Sequence, residues 1–259
     1  MRRDFLIFVL SVCAIVAGGC ACGRRERDII FQESTINALM AGVYDGEITC
    51  GELRRRGDIG LGTFEALDGE MVAIEGIIYQ VTADGTVRVA RDDVRVPFAE
   101  VTYFTPDITT VTGAPMDLSH LPQYLDSLIP STNIFYAVRI DGTFSRVRTR
   151  SVPRQAKPYP PLDEAVKDQR EFEYGTIEGT LVGFRYPVYA RGINIPGYHF
   201  HLISSDRKAG GHLLDCRIEK GKVAVDCTSR LFLSLPREVD FYGADLSRDR
   251  SERGGGAER

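Results

Sequence analysis

The chain has 259 residues, of which 43% are hydrophobic, enough to bury one large core or two modest ones. Its 32 basic and 36 acidic residues nearly balance, and without a basic footprint nucleic acid is not an expected partner. Beyond the N-terminus no apolar run is long enough to span a bilayer. The composition therefore indicates a soluble, globular protein.

Residues 1–22 have the composition of an export signal. Two arginines give a basic start, a predominantly apolar stretch of twelve residues runs from Phe5 to Val16, and three small residues precede Cys20. Small residues directly before a cysteine resemble the cleavage box of bacterial lipoproteins, in which that cysteine becomes the lipidated first residue. Simple cleavage and retention as an uncleaved anchor are the alternatives. We expect export, and attachment to the outer face of the cytoplasmic membrane through lipid on Cys20.

The next part, residues 23–152, is predicted to be an α+β lobe. Ser34 is expected to cap the first helix, and Thr49 with Glu52 forms a capping box for the second. Helices are expected at Thr35–Ala41, from Thr49 to Gly57 and at Leu118–Ile129. Period-2 patterns predict strands at Met71–Tyr79, Thr86–Val89, Val101–Phe104, Phe135–Ile140 and Thr143–Val152. Asp141-Gly142 predicts a tight turn between the last two strands.

Four prolines in residues 153–161 indicate a linker, and residues 162–246 are predicted to form a β-rich lobe. Its expected elements are a helix at Leu162–Asp168, a strand at Thr176–Phe184, a hairpin of Leu213–Ile218 and Val223–Thr228, and a last strand at Leu231–Leu235. Residues 247–259 form a polar, glycine-rich tail. Because strands arrive as hairpins with few helices, the predicted class is α+β, with mixed or antiparallel sheets in two lobes.

Two cysteines lie in the arms of the hairpin predicted about Lys220-Gly221. Cys216 and Cys227 could face each other there and form a disulfide, which export would permit. Two buried, unlinked cysteines are equally compatible with the sequence. The residues alone leave both interpretations open.

Three of the four histidines lie within fourteen residues. Residues two apart in a strand point to the same face, so His199 and His201 are expected to project together. A hairpin loop over Ser205–Gly211 would return His212 beside them. Three converging imidazoles suit Zn²⁺ or a similar divalent ion and leave coordination positions open, as a catalytic metal requires. The alternative is three unrelated histidines on the surface or in the core.

Three arginines alternate along the predicted strand Thr143–Val152. Arg146, Arg148 and Arg150 are expected to share one face of it. One interpretation is a solvated basic face on an edge strand. The other is that at least one arginine clamps a substrate carboxylate through two parallel N–H donors.

Eight segments in chain order carry a resemblance to known proteins: Phe31-Gln32-x-Ser34, Tyr44–Gly46, Gly57–Phe64, Leu67–Glu70, Phe135–Gly142, Gly183-Phe184, Gly197–His201 and Gly210–His212. Together they resemble the alpha-acetolactate decarboxylase family, from about Phe31 to Leu246. The resemblance implies a two-lobed α+β homodimer with a zinc ion held by three histidines. Matched by position, the ligands are His199, His201 and His212.

The resemblance also implies three further site residues. Glu70 matches the family's active-site glutamate, and Arg150 matches its active-site arginine. The family places a glutamate of the C-terminal tail in the site as well. Here Glu258 fits that role after a one-residue deletion, and Glu252 is the other candidate.

The reaction implied is the decarboxylation of 2-acetolactate to acetoin, a step of acetoin and 2,3-butanediol biosynthesis. No sequence feature signals a pyridoxal or thiamin cofactor, so bound Zn²⁺ is expected to serve as the electron sink. Arg150 is expected to orient the substrate's charge, and Glu70 or the tail glutamate to deliver a proton. Two alternatives are a zinc-binding lipoprotein without turnover and a related metal enzyme acting on another β-keto acid.

Overall fold

The computed structural model describes residues 28–247, which form sixteen β-strands and five short α-helices. The strands are β1 (Ile29–Glu33), β2 (Ile48–Thr49), β3 (Ile59–Thr63), β4 (Glu70–Ile74), β5 (Ile77–Val81), β6 (Val87–Val89), β7 (Arg95–Val96), β8 (Phe98–Thr102), β9 (Ile108–Val111), β10 (Met116–Asp117), β11 (Phe135–Ser151), β12 (Arg170–Tyr174), β13 (Ile177–Tyr186), β14 (Gly197–Ser204), β15 (Gly210–Thr228) and β16 (Arg230–Ser234).

The helices are α1 (Ile36–Met40), α2 (Cys50–Leu53), α3 (Leu121–Leu128), α4 (Leu162–Ala165) and α5 (Val239–Gly243). Among the described residues, none of these helices has the length and apolar character to cross a bilayer. The predominance of strands in mixed sheets confirms the predicted α+β class. The predicted export signal at residues 1–22 lies outside the described residues.

The first sheet has the strand order β16-β1-β8-β3-β4-β5-β6, with β16 parallel to β1 and the other neighbours antiparallel. The single strand predicted over Met71–Tyr79 is wrong, because the chain turns at Glu75-Gly76 and β4 pairs with β5. Both turn residues have positive φ, 54° and 76°. That backbone suits a two-residue hairpin turn, which here interrupts what reads as one apolar run.

The second sheet is built on the long strands β11 and β15, which pair along most of their length. β13 pairs with the other edge of β11, β14 pairs with β13, and β15 returns to pair with β14, so these four strands close a ring. β9 and β10 add to β15, and β12 adds to β11. The ring surrounds an apolar core to which α3 contributes Leu121 and Leu125.

The hairpins predicted about Asp141-Gly142 and Lys220-Gly221 are wrong, because β11 and β15 continue through both places. Gly142 pairs with Gly221 where the two backbones approach closely. A Cβ atom on Gly142 would lie 2.1 Å from the carbonyl oxygen of Lys220. These glycines therefore serve a close approach of two strands and not a turn.

The disulfide suggested between Cys216 and Cys227 required a hairpin about Lys220-Gly221, where β15 instead continues without a turn. Both residues now lie on β15, eleven positions apart, which is roughly 36 Å along a strand. A disulfide needs Cα atoms within about 7 Å. The described cysteines, which include Cys50, are free.

The N-termini of the first two helices are capped by side chains, with one correction to the predicted capping residues. Thr49 and Glu52 form the predicted capping box of α2. Thr35, not Ser34, caps α1: its hydroxyl accepts from the backbone N–H of Ala38, while Ser34 has a φ of 63° and is buried. The predicted helix at 118–129 divides into a 3₁₀ turn and α3, with Pro122 in the first turn of α3, where its missing N–H costs nothing.

Sheet membership does not follow the lobe boundaries predicted at residues 153–161. β9, β10 and β11 precede that segment but belong to the second sheet, and β16 returns to the first. Leu61 and Val72 of the first sheet share a core with Val182 and Ile203 of the second. This shared core packs the two sheets against each other, and the division into two lobes stays a prediction.

The close pairing of β11 and β15 at Gly142 gives a test of the fold. Gly142→Ala is expected to lower the free energy of unfolding by about 1–3 kcal/mol, because the new Cβ would clash with the carbonyl oxygen of Lys220, a backbone atom held in the paired strand. The matched control is Gly175→Ala, where among the described residues nothing lies within 4 Å of the new Cβ. Urea unfolding of both variants measures the difference. Equal stability would show that the strands separate at this point.

Candidate metal centre and active site

Two neighbouring strands bring the three histidines together. His199 and His201 point to the same face of β14, and the short turn after Ser204 places His212 directly opposite His201 on β15. Their ring centroids are 4.9–5.3 Å apart, and one nitrogen of each ring lies within 4.8 Å of the others. The predicted convergence is therefore present.

Burial keeps all three imidazoles neutral. It lowers the pKa of His201 to about 3, with a smaller contribution from the charge of Arg150, although the hydrogen bond to Met71 acts in the opposite direction. Burial likewise holds the pKa values of His199 and His212 well below the ordinary value. Neutral imidazole is the form that binds metal ions, because its lone pair is available.

Hydrogen bonds orient these rings. His201 donates from Nδ1 to the Met71 carbonyl oxygen at 2.7 Å, which leaves the lone pair on Nε2. That Nε2 atom lies 3.6 Å from a carboxylate oxygen of Glu70. His199 Nε2 and His212 Nδ1 approach to 3.0 Å. Within residues 28–247 these three neutral nitrogen donors make up the metal-compatible cluster, and they fit a divalent ion with open coordination positions.

Glu70 and Arg150 reach the same place from different sheets. Glu70 begins β4, and Arg150 lies near the end of β11, paired with His212. Both side chains are buried, and Arg150 Nη1 lies 3.6 Å from Glu70 Oε1. Five of the residues singled out from the sequence therefore meet here. The tail candidates Glu258 and Glu252 lie outside the described residues.

The three arginines of β11 do not share one face as predicted. The pairing of β11 with β15 shifts register between Ser145 and Arg148 and again before Thr149, and Arg146 has a φ of 50°. These bulges break the alternation of side chains. Arg146 and Arg148 are exposed and pair with acidic residues of the surface, whereas Arg150 turns inward and is 1% exposed.

A strained turn precedes Glu70. Ala66, Leu67 and Gly69 all have positive φ, between 57° and 86°. The hydroxyl of Thr63 donates to the Gly69 carbonyl oxygen at 2.7 Å, which ties the turn to β3. Left-handed backbone in non-glycine residues costs free energy and persists where surrounding contacts hold it. Here the strained turn places Glu70 at the start of β4, facing His201.

Two cavities adjoin the histidines, and His199 borders both. A small cavity of about 20 Å³, room for about one water, is lined by Glu70, Arg150 and His201 with apolar walls that sequence reasoning missed. Those walls are Leu39, Leu67, Val152 and Leu162. An open cleft of about 500 Å³ reaches His199 and His212 from beside α3, and its volume is typical of a small-molecule site.

Comparison with known proteins identifies relatives of this chain. The family model described as alpha-acetolactate decarboxylase matches residues 30–248. The curated alpha-acetolactate decarboxylase of Methanosarcina mazei is 48% identical over 88% of this chain and 80% of its own length. That of Methylococcus capsulatus is 48% identical over 89% and 88%. The crystal structure of the Bacillus subtilis enzyme superposes with a TM-score of 0.86 at 41% identity, covering 89% of this chain and 99% of that one.

Proposed function

The chain belongs to the alpha-acetolactate decarboxylase family, and we propose that it converts 2-acetolactate to acetoin and carbon dioxide with Zn²⁺ held by three histidines. The observation that carries the proposal is the buried cluster of His199, His201 and His212 with Glu70 and Arg150 beside it. Acetoin biosynthesis is the matching role. As in the resemblance drawn from sequence, we propose a homodimer.

The reaction needs a sink for an electron pair. When the carbon–carbon bond to the carboxylate breaks, its electrons stay on the remaining skeleton, which then takes up a proton. A bound divalent ion supplies positive charge that polarises the substrate's oxygens. Arg150 is permanently charged and buried, so it is suited to orient the carboxylate that leaves. Glu70 lies between Arg150 and His201, where it can hold the proton that completes acetoin.

The surroundings of Glu70 and Arg150 strengthen the electrostatic interactions of these two side chains. The apolar walls contributed by Leu39, Leu67 and Leu162 shield Glu70 and Arg150 from bulk water, and electrostatic interactions are larger in such low-dielectric surroundings. We propose that the substrate arrives through the open cleft, because among the cavities that border the histidines it has the volume for a small molecule. The small cavity beside Glu70 and Arg150 would widen to admit the carboxylate end.

Metal removal tests the proposed reaction. Purified protein is expected to form acetoin from 2-acetolactate, to lose this activity with a chelator and to regain it with Zn²⁺. His201→Ala should lose bound zinc and activity together, because it removes one of three donors. His120→Ala is the control, since His120 is exposed and outside the cluster. Zinc content by atomic emission and acetoin by colorimetry are the measurements.

Each outcome discriminates between the alternatives. Full turnover without metal would contradict the proposed mechanism. Zinc bound at the histidines with no turnover would favour a non-catalytic zinc-binding lipoprotein. Activity on another β-keto acid but not on 2-acetolactate would favour a related enzyme.

Arginine chemistry gives the next prediction. Arg150→Lys keeps the charge but loses the planar two-donor fork, so kcat/KM should fall roughly 10²–10³-fold while zinc content stays unchanged. Arg148→Lys is the matched control on the same strand, because Arg148 is exposed and pairs with Glu171 at 3.8 Å. Steady-state kinetics of both variants provide the comparison. Equal, small losses would remove the role proposed for Arg150.

For localisation, we propose export and lipid attachment at Cys20, a proposal that rests on the sequence of residues 1–22. Cys20→Ser is expected to release the protein from the membrane or leave it unprocessed. Cell fractionation and the intact mass of the protein report both effects. Native protein recovered from the cytoplasm with residues 1–22 still attached would rule out export.

A further inference from the structure

A buried carboxylate lies behind the first histidine of the cluster. Glu100 occupies the middle of β8 and is 0% exposed. Its Oε1 atom lies 4.0 Å from His199 Nδ1, and its Oε2 atom accepts a hydrogen bond from Asn194 Nδ2 at 3.0 Å. A carboxyl group inside a strand otherwise suited to the core needs compensating interactions, because its removal from water carries a large desolvation cost.

Further polar side chains hold Glu100 and Asn194 in place. Gln32 Oε1 accepts from Asn194 Nδ2 at 2.9 Å and from the Tyr186 hydroxyl at 3.0 Å. Gln32 Nε2 donates to the carbonyl oxygens of Ser34 and Ile193, both at 2.8 Å. All three of these supporting side chains are buried. The network joins β1, β8 and β13 to the segment that leads into β14, just before His199.

The two ring nitrogens of His199 face different partners. Nε2 points to His212 within the donor cluster, and Nδ1 points to Glu100. In metal sites, the nitrogen of a ligating histidine that does not bind the ion commonly faces a carboxylate, which sets the tautomer, orients the ring and strengthens it as a donor. At 4.0 Å the separation exceeds a hydrogen bond, so an ionised Glu100 would act on an N–H at Nδ1 through its charge, and both groups are buried, where such an interaction is weakly screened.

We propose that Glu100 is a positioning residue of the metal centre. It keeps His199 turned with Nε2 towards His201 and His212, and Asn194 keeps Glu100 in place. The inference rests on the proposed metal centre but not on the identity of the substrate. It predicts that neutralising Glu100 weakens metal binding even where the fold is retained.

The test compares zinc affinity between matched variants of the full chain. Glu100→Gln is expected to raise the Kd for Zn²⁺ about 10–100-fold, measured by competition with a chromophoric chelator. The control is Asp226→Asn, which neutralises another buried carboxylate, one that accepts from the Thr105 N–H and lies fourteen residues along β15 from His212. Its Kd should match that of the wild type. Cobalt substitution gives a second readout, because the visible absorption bands report ligand geometry.

An unchanged zinc Kd in Glu100→Gln would overturn the inference, even if its thermal stability falls, since that result describes a purely structural residue. An equal rise in the Asp226→Asn control would overturn it as well. Should Glu100→Gln fail to fold, Asn194→Ala takes its place, with a raised Kd expected and an unchanged Kd contradicting. If wild-type protein binds zinc but produces no acetoin, the proposed function fails while these affinity comparisons still decide the role of Glu100.

Discussion

The pairing of His201 with His212 across β14 and β15 is the constraint on which the site depends. A shift of one residue would turn His212 to the opposite face and break the cluster. The short connection sets this register: the Ser204 hydroxyl accepts from the backbone N–H groups of Lys208 and Ala209 and donates to Asp206. A local turn therefore fixes which nitrogen atoms can share an ion.

The remaining site residues depend on long-range assembly. Closure of the ring places Arg150 opposite His212, and the bulges of β11 turn that arginine inward. Packing of the first sheet against the ring then brings Glu70 and the Met71 carbonyl up to His201. Burial by both sheets keeps the imidazoles neutral and the Glu70–Arg150 pair out of water. Chemistry at this centre is thus a property of the interface between the sheets.

The sequence predicted the features that depend on local patterns and missed those that depend on contacts between distant segments. The histidine cluster could be predicted because alternation in one strand and one short loop suffice. Asp141-Gly142 was misread as a turn, because the same residues also suit two strands paired at close range. Which of the two occurs depends on partners distant in sequence. Glu70, and the choice of Arg150 among three arginines, followed only from the family resemblance, since a turn carboxylate and a strand arginine are common. Glu100 was missed, although a lone charge within Phe98–Thr102 was a signal that could have been noticed.

The position of His199 between the two cavities gives the centre two unequal sides. Solvent and solutes in the cleft meet His199 and His212 first, whereas Glu70 and Arg150 stand behind them in a space of one-water size. An ion could thus exchange through the cleft, on the side away from the Glu70–Arg150 pair. Loss and recovery of metal would then leave the rest of the site assembled, so that the protein behaves as a preformed receptacle and not as a fold that the ion must build.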